Sequence, residues 1–145
     1  MNIEITSLDI QQHVDIKRPM EAVFEGLIEE MTDEMQYEDG RSMNMKLERI
    51  PGGRWFRDFG DGGGHLWGIV QSYRAPNLLE LIGPTMMSYP AQNHIEYKLS
   101  EVPGGTRITF RHRAFGFIPA EHQEGMKEGW GMMMANLQKR LESGN

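Results

Sequence analysis

The stretch NHIEYKLSEVPGGTRITFRHRAF, residues 93–115, decides the fold of this 145-residue chain. Apolar and polar side chains alternate through both halves of the stretch, and a two-residue period is typical of a strand with one buried face. Pro-Gly-Gly at 103–105 separates the halves. A short glycine-containing break between two such runs is typical of a β-hairpin. The stretch therefore predicts two long strands that pair antiparallel.

Five further segments share this period, and glycine or proline stands at most of the breaks between them. The seven predicted strands are residues 8–16, 42–50, 54–59, 65–73, 78–82, 93–102 and 106–115. A methionine-rich connection, TMMSYPAQ at 85–92, precedes the last two strands. Because the other connections after residue 42 are short turns, we expect one antiparallel sheet.

Two segments have helical spacing instead. Pro19 suits the first turn of a helix, and the apolar residues from Met20 to Met35 follow the spacing of one buried helix face over about four turns. A second apolar stripe runs through residues 120–142, and Gly144 is the predicted stop. One strand, one helix, six strands and a long helix predict an α+β fold with both helices on one face of the sheet.

The composition excludes several classes of protein. With 39% hydrophobic and 25% charged residues, and no long linker, residues 1–145 are expected to form a single domain. The chain has no cysteine and no apolar run long enough to cross a bilayer. A net charge of −6 argues against nucleic-acid binding through bulk charge. We therefore expect a cytoplasmic monomer or homodimer that neither binds nucleic acid nor inserts into a membrane.

The charge is unevenly distributed. The first 39 residues hold eleven acidic against two basic side chains, and the remainder holds thirteen basic against ten acidic. Strand parity places Asp9 and Asp15 on the outer side of the first strand. The outer side of the last strand carries Arg107, Arg111 and Arg113. If these two strands pair, opposite charges meet across them, so the pattern favours neutralisation within one fold over an acidic arm for an external partner.

A twisted sheet that wraps around one long helix leaves a space between the two. The side chains expected to border this space come from the inner faces of the strands and from the stripe of the last helix. They are Met43, Met45, Arg57, Trp67, Ile95, Tyr97, Phe110, His112, Met126, Trp130, Met133 and Met134. Methionine either fills irregular gaps or adapts to ligands of varied shape, and the chain has twelve. The set therefore predicts either a ligand cavity or a filled core.

Several segments resemble one protein superfamily, and the similarity runs from about residue 8 to residue 142. The strongest pieces are Gly52-Gly53-Arg54-Trp55, within PGGRWFRDFGDGG, and Gly125-Met126 with Gly129-Trp130 in the last helix. They are similar to the SRPBCC, or START-like, superfamily, and within it to homologues of the activator of the heat-shock-protein-90 ATPase.

The resemblance implies a helix-grip fold. In that fold a curved seven-stranded antiparallel sheet surrounds a long C-terminal helix, with one or two short helices after the first strand. It also implies a cavity for an apolar molecule such as a lipid, a polyketide or an aromatic natural product. Some relatives are cyclases or hydrolases, so the resemblance leaves the chemistry open.

Three polar side chains are candidates for chemistry in the cavity. His112 is the one histidine that parity turns inward, either as a bonded core histidine or as a general base or ligand partner. Arg57 faces inward if Trp55 and Phe59 do, a parity that the sequence leaves open, and a β-bulge or an extended side chain would take it to solvent instead. Tyr97 is suited to donate to a ligand carbonyl or to pack at the rim.

The sequence lacks the motifs of metal sites, phosphate loops and nucleophilic catalysis. The five histidines show neither HExxH nor HxH spacing, and the glycine run at 60–64 lacks the Gly-Lys-Ser/Thr ending of a phosphate loop, so we expect no metal and no cofactor. The sequence has no nucleophile elbow and no Cys–His pair.

Three functions follow from these observations. The first is non-enzymatic binding of a small hydrophobic ligand that is lipid-, polyketide- or flavonoid-like. The second is a cyclase or hydrolase for a polyketide-like or aromatic substrate, which requires His112, Tyr97 and Arg57 to converge on one cavity. The third is a chaperone-interacting module that uses the acidic face of the first helix.

Overall fold

The computed structural model, which describes residues 4–143, has seven strands and two helices in the predicted order. They are β1 (Thr6–Ile16), α1 (Met20–Met31), β2 (Met45–Leu47), β3 (Arg54–Asp58), β4 (Gly64–Arg74), β5 (Leu78–Gly83), β6 (Ala91–Val102), β7 (Gly105–Gly116) and α2 (Ala120–Glu142). The α+β helix-grip fold is therefore confirmed. Gly144, the predicted stop of the last helix, lies outside the described residues.

Two predicted boundaries are wrong. α1 ends at Met31 rather than Met35, because Thr32 leaves the helical region with φ −128° and ψ −92°. The carbonyl of Met35 instead accepts a hydrogen bond from the backbone N–H of Met43, 3.0 Å away. β2 is only three residues long, since Asn44 just before it adopts a positive φ of 54°.

The seven strands form one sheet in the order β1-β7-β6-β5-β4-β3-β2, and every neighbouring pair is antiparallel. The first strand thus lies beside the last, as the charge pattern predicts. Arg107 Nε lies 2.7 Å from Asp15 Oδ1, and Arg111 Nη2 lies 2.8 Å from Asp9 Oδ2. The acidic first strand is therefore neutralised by the chain's own arginines.

Both helices cover the inner face of the sheet. α1 buries Phe24 and Leu27 there, and α2 runs beside β1 and α1. The two helices approach closely at Gly26, where an added Cβ would lie 2.7 Å from Leu141 Cδ1. Within residues 4–143, neither helix is both long enough and apolar enough to span a bilayer.

Candidate functional site

An open pocket of about 760 Å³ lies between α2, the end of α1 and the connection from β5 to β6. We call it the α2 pocket. Its residues are Glu30, Glu34, Met35, Met86, Met87, Ser88, Tyr89, Glu121, His122, Gly125, Met126, Gly129, Trp130, Met132, Met133 and Asn136. The lining is mainly apolar, with a few polar groups at its ends, which is typical of a small-molecule site.

Methionine dominates the apolar lining. Six of the twelve methionines border the pocket: Met35, Met86, Met87, Met126, Met132 and Met133. The ring of Trp130 borders it beside them. Thioether side chains are flexible and polarizable, and they make favourable contacts with aromatic rings. This wall can therefore adjust to flat or irregular apolar molecules.

Two glycines in the middle of α2 keep the pocket open. A Cβ added at Gly125 or at Gly129 would meet no surrounding protein atom within 4 Å. A glycine inside a helix costs about 1 kcal/mol relative to alanine. At these two positions the missing side chains leave space for a ligand beside the helix.

Three of the polar side chains in the pocket lining are acidic. Glu30 lies in the last turn of α1, Glu34 follows the end of that helix, and Glu121 lies in the first turn of α2. Arg140 Nε, outside the lining, is 2.9 Å from Glu30 Oε1. Burial raises the pKa of Glu30, and the hydrogen bond from Arg140 opposes that shift.

A hydrogen-bonded aromatic pair, Tyr89 and His122, lies at the end of the pocket near the start of α2. The hydroxyl oxygen of Tyr89 is 2.8 Å from Nδ1 of His122, and the two ring centroids are 5.4 Å apart. Burial raises the pKa of Tyr89 above its ordinary value, so the phenol is neutral near pH 7. The neutral phenol of Tyr89 is therefore a hydrogen-bonding group at the edge of the pocket.

His112, the candidate base, is fully buried behind Trp130. Its Nδ1 accepts a hydrogen bond from Nε1–H of Trp130 at 3.0 Å, which leaves the ring proton on Nε2. Nε2 then donates to Oδ1 of Asn93 at 2.6 Å. Burial lowers the pKa of His112 to about 4. The imidazole is therefore neutral at pH 7, and both of its nitrogens are engaged.

The hydrogen bonds continue from His112 to the end of β5 and the connection that follows it. The Asn93 amide nitrogen donates to the carbonyl oxygens of Gly83, at 3.0 Å, and Pro84, at 3.2 Å. These carbonyls begin the connection that carries Met86 and Met87. The hydrogen bonds from Trp130 to Pro84 thus link α2 to the start of the connection that carries Met86 and Met87.

Tyr97 lies deep in the core. Its ring packs 5.2 Å from that of Phe110, and its buried hydroxyl has no hydrogen-bond partner among residues 4–143. Burial raises its pKa well above the ordinary value. Tyr97 does not belong to the pocket lining.

Arg57 lies at another edge of the sheet. It pairs with Met45 across the β2–β3 ladder, and its guanidinium carbon lies 5.1 Å from the ring centroid of Tyr37 and 4.8 Å from that of Phe59. Phe59 is 50% exposed, whereas Trp55 is buried, because β3 has a register shift after Trp55 and ends before Phe59. The structure does not bring Arg57 together with His112.

The twelve residues predicted to border the cavity are therefore divided by the structure. Met126, Trp130 and Met133 line the α2 pocket. The other nine do not line it; Arg57 is partly exposed, Met43 is partly buried, and the rest are buried in the core: Met45, Trp67, Ile95, Tyr97, Phe110, His112 and Met134. The pocket residues at 86–89 were not predicted, although the methionine-rich composition of this connection was a usable signal.

One group of possible metal ligands lies on the outer face of the sheet. Glu80, His94 and Glu96 each bring a ligand atom within 4.8 Å of the others. The sequence did not reveal the group because Glu80 comes from the neighbouring strand. Glu80 Oε2 lies 2.8 Å from His94 Nε2, and Lys98 Nζ lies 3.6 Å from Glu96 Oε1. Since the protein's own groups engage both carboxylates, we assign no metal here.

Comparison with known proteins gives one family and several similar folds. A family model described as "Activator of Hsp90 ATPase homolog 1-like protein" matches residues 17–142. No curated protein matches the sequence. MLL2253 from Mesorhizobium loti is 20% identical, with a TM-score of 0.68 over 94% of this chain and 98% of its own.

Two other solved structures have related folds. The Aha1 dimer from Colwellia psychrerythraea is 16% identical, with a TM-score of 0.64 over 95% of this chain and 98% of that one. DynU16, from the dynemicin biosynthetic locus, is 17% identical, with a TM-score of 0.67 over 94% of this chain but only 48% of its own. At these identities the likeness establishes the shared fold.

Proposed function

The chain belongs to the family of Activator of Hsp90 ATPase homolog 1-like proteins, and from that membership we propose that it binds a small hydrophobic molecule in the α2 pocket without catalysing a reaction. The observation that carries the proposal is the pocket itself, about 760 Å³ in volume and lined by six methionines and Trp130. Its size suits a lipid-, polyketide- or flavonoid-like ligand. The presence of a related fold in a biosynthetic locus supports a natural product of this kind.

The polar groups favour binding over catalysis. A general base must be free to take a proton near the working pH, whereas both nitrogens of His112 are occupied and its pKa is lowered to about 4. Arg57 is stacked on aromatic rings at the β2–β3 edge. The cyclase or hydrolase hypothesis needs these groups on one cavity, so it is the weaker alternative.

The acidic face of α1 gives the chaperone hypothesis less support than the pocket gives the binding proposal. Arg49 Nη1 donates to Glu25 Oε1 at 2.8 Å, and Arg140 Nη1 lies 3.6 Å from Glu29 Oε1. These carboxylates are engaged by the protein's own arginines, which reduces what they offer to a partner.

A thermal-shift screen tests the binding proposal. Flavonoid-like, polyketide-like and fatty-acid compounds are added to the protein, and a ligand at a hundred times its Kd should stabilise the fold by about 2.7 kcal/mol. Isothermal titration calorimetry then gives the Kd of each compound that raises Tm. A broad screen in which no compound raises Tm would contradict the proposal.

The variant Gly129→Leu tests whether the ligand binds in the α2 pocket. Because a Cβ at Gly129 meets no surrounding atom within 4 Å and Gly129 lines the pocket, we expect a leucine side chain to occupy ligand space. It should stabilise the free helix by about 1 kcal/mol and weaken ligand binding about tenfold or more. The matched control is Gly131→Ala, which gives a similar helix gain outside the lining. Equal ligand affinities for the two variants would mean that the ligand binds elsewhere.

A further inference from the structure

We propose that the α2 pocket selects ligands that join a flat apolar body to a positively charged group, such as arylalkylamines with a protonated nitrogen, over neutral or anionic molecules of the same shape. This inference rests on the binding function proposed above and adds the ligand's charge.

The first evidence is the set of charged side chains in the lining. Glu30, Glu34 and Glu121 border the pocket, and no lysine or arginine among residues 4–143 lines it. A carboxylate ligand would therefore meet like charges at both ends of the pocket. A cation would meet opposite charges, and because Glu34 and Glu121 are exposed, these contacts weaken as salt is added.

The second evidence is an excess of negative charge beside Arg140. Its guanidinium lies 2.9 Å from Glu30, 3.6 Å from Glu29 and 3.9 Å from Glu34. It also donates to the carbonyl oxygen of Gly26 at 2.8 Å. One arginine thus serves three carboxylates, and the contact to Glu34 is the longest. Glu34 is the group with the most capacity left for a second cation.

The repulsion among these acids is visible at Glu30. Burial is the main cause that raises the pKa of its carboxyl group, and the charges of Glu34 and Glu29 raise it further despite the bond to Arg140. A positive group placed beside Glu34 would offset this repulsion. The protein therefore gains from a cation at this end of the pocket, whereas an anion would add to the repulsion.

The carboxylates are spaced for an elongated molecule. Glu121 and Asn136, both on the pocket face of α2, are fifteen residues apart, or about 22 Å along the helix axis. Glu34 contacts Arg140, one helical turn beyond Asn136. Methionine side chains and Trp130 occupy the length between these ends. A rigid aromatic body fits that length, and its charged group would lie at one end.

Three probes with one ring system test the charge preference. Pyrenylmethylamine, pyrenylmethanol and pyrenecarboxylate are cationic, neutral and anionic at pH 7, and the quenching of tryptophan fluorescence by the bound pyrene gives the Kd of each. We expect the amine to bind about fivefold more tightly than the alcohol, and the alcohol more tightly than the carboxylate. The differences should shrink between about 20 mM and about 200 mM salt.

A pair of charge variants identifies the groups responsible. Glu34→Gln should weaken the amine about three- to fivefold and leave the alcohol unchanged. Glu101→Gln removes the same charge from an exposed position at the end of β6, outside the lining, and should alter neither Kd. Equal effects of the two variants would overturn the assignment of selectivity to the pocket.

The outcomes separate this inference from the binding function. If all three probes bind with equal affinity, or if the carboxylate binds best, the charge selection is wrong and apolar binding stands. If none of them binds up to its solubility limit, the inference fails, and the proposed function fails with it only if the thermal-shift screen also finds no ligand.

Discussion

The indole Nε1–H of Trp130 donates a hydrogen bond to Nδ1 of His112 across 3.0 Å, and this contact joins α2 to β7. Trp130 also borders the α2 pocket. The same side chain therefore belongs to a buried polar network on one side and to the candidate ligand site on the other.

The variant Trp130→Phe tests this contact. It leaves His112 Nδ1 buried without a donor, and an unsatisfied buried acceptor costs about 1–3 kcal/mol. Trp67→Phe is the matched control, because Trp67 donates to Nδ1 of the half-buried His65 at 3.1 Å. Urea unfolding should show a larger loss for Trp130→Phe. Equal losses would mean that the buried bond adds nothing.

The stability of the protein should depend on the protonation of His112. Its pKa is about 4 in the folded state and about 6.5 in the unfolded chain. Between these values the unfolded state binds a proton that the folded state excludes. The contribution of neutral His112 to the free energy of unfolding is therefore fully present above about pH 6.5, and it decreases as the pH falls toward 4.

From pH 7 to pH 5 this loss should be about 2 kcal/mol. The variant His112→Gln lacks the titrating group and retains the other four histidines, so its stability should fall less over the same interval. Urea unfolding of both proteins at pH 7, 6 and 5 measures the two slopes. If the stability of both proteins falls equally between pH 7 and pH 5, His112 is not the group responsible.

Removing the hydroxyl of Tyr97 should stabilise the fold. The buried oxygen has no partner within residues 4–143, whereas the ring packs against Phe110. Tyr97→Phe keeps the ring and removes the unsatisfied group, so we expect a gain of about 1 kcal/mol in the free energy of unfolding.

Tyr73→Phe is the control for this substitution. The hydroxyl of Tyr73 accepts a hydrogen bond from Arg49 Nε at 3.0 Å, and its loss should cost about 1 kcal/mol. The two Tyr→Phe variants should thus shift the urea midpoint in opposite directions. A loss of stability in Tyr97→Phe would show that the hydroxyl has a partner after all.

A methyl group at Gly26 should weaken the contact between the helices. Its Cβ would lie 2.7 Å from Leu141 Cδ1 and 2.8 Å from Cδ2, so Leu141 must move. Overpacking of this kind costs about 1–3 kcal/mol, which exceeds the helix gain of about 1 kcal/mol. Urea unfolding should therefore show Gly26→Ala to be destabilising.

The double variant Gly26→Ala/Leu141→Ala separates a steric cause from a helical one. Truncation of Leu141 makes room for the new methyl group, so the double variant should lose less stability than the two single variants together. Strict additivity would mean that the clash is not the cause.

The fold could be predicted from the sequence because its signals are local. The alternation in residues 93–115 and the helical stripe of residues 120–142 each specify one element and its buried face. Short turns leave antiparallel pairing as the simple solution, and the outer charges of Asp15 and Arg107 agree with the pairing of β1 and β7. The resemblance to the activator family rests on residues 52–55 and on residues 125–130 within the same helical stripe.

The candidate site depended on contacts between segments that are distant in sequence. Strand parity predicted that His112 faces inward. Its partners Asn93 and Trp130, however, come from another strand and from α2. The pocket forms where the connection at 86–89 lies near Glu34 and the glycine face of α2. Side-chain period records which face of an element is buried and carries no information on which distant segment covers it. The sequence alone therefore determined the elements and their buried faces, and only the tertiary structure decided where those faces left a space.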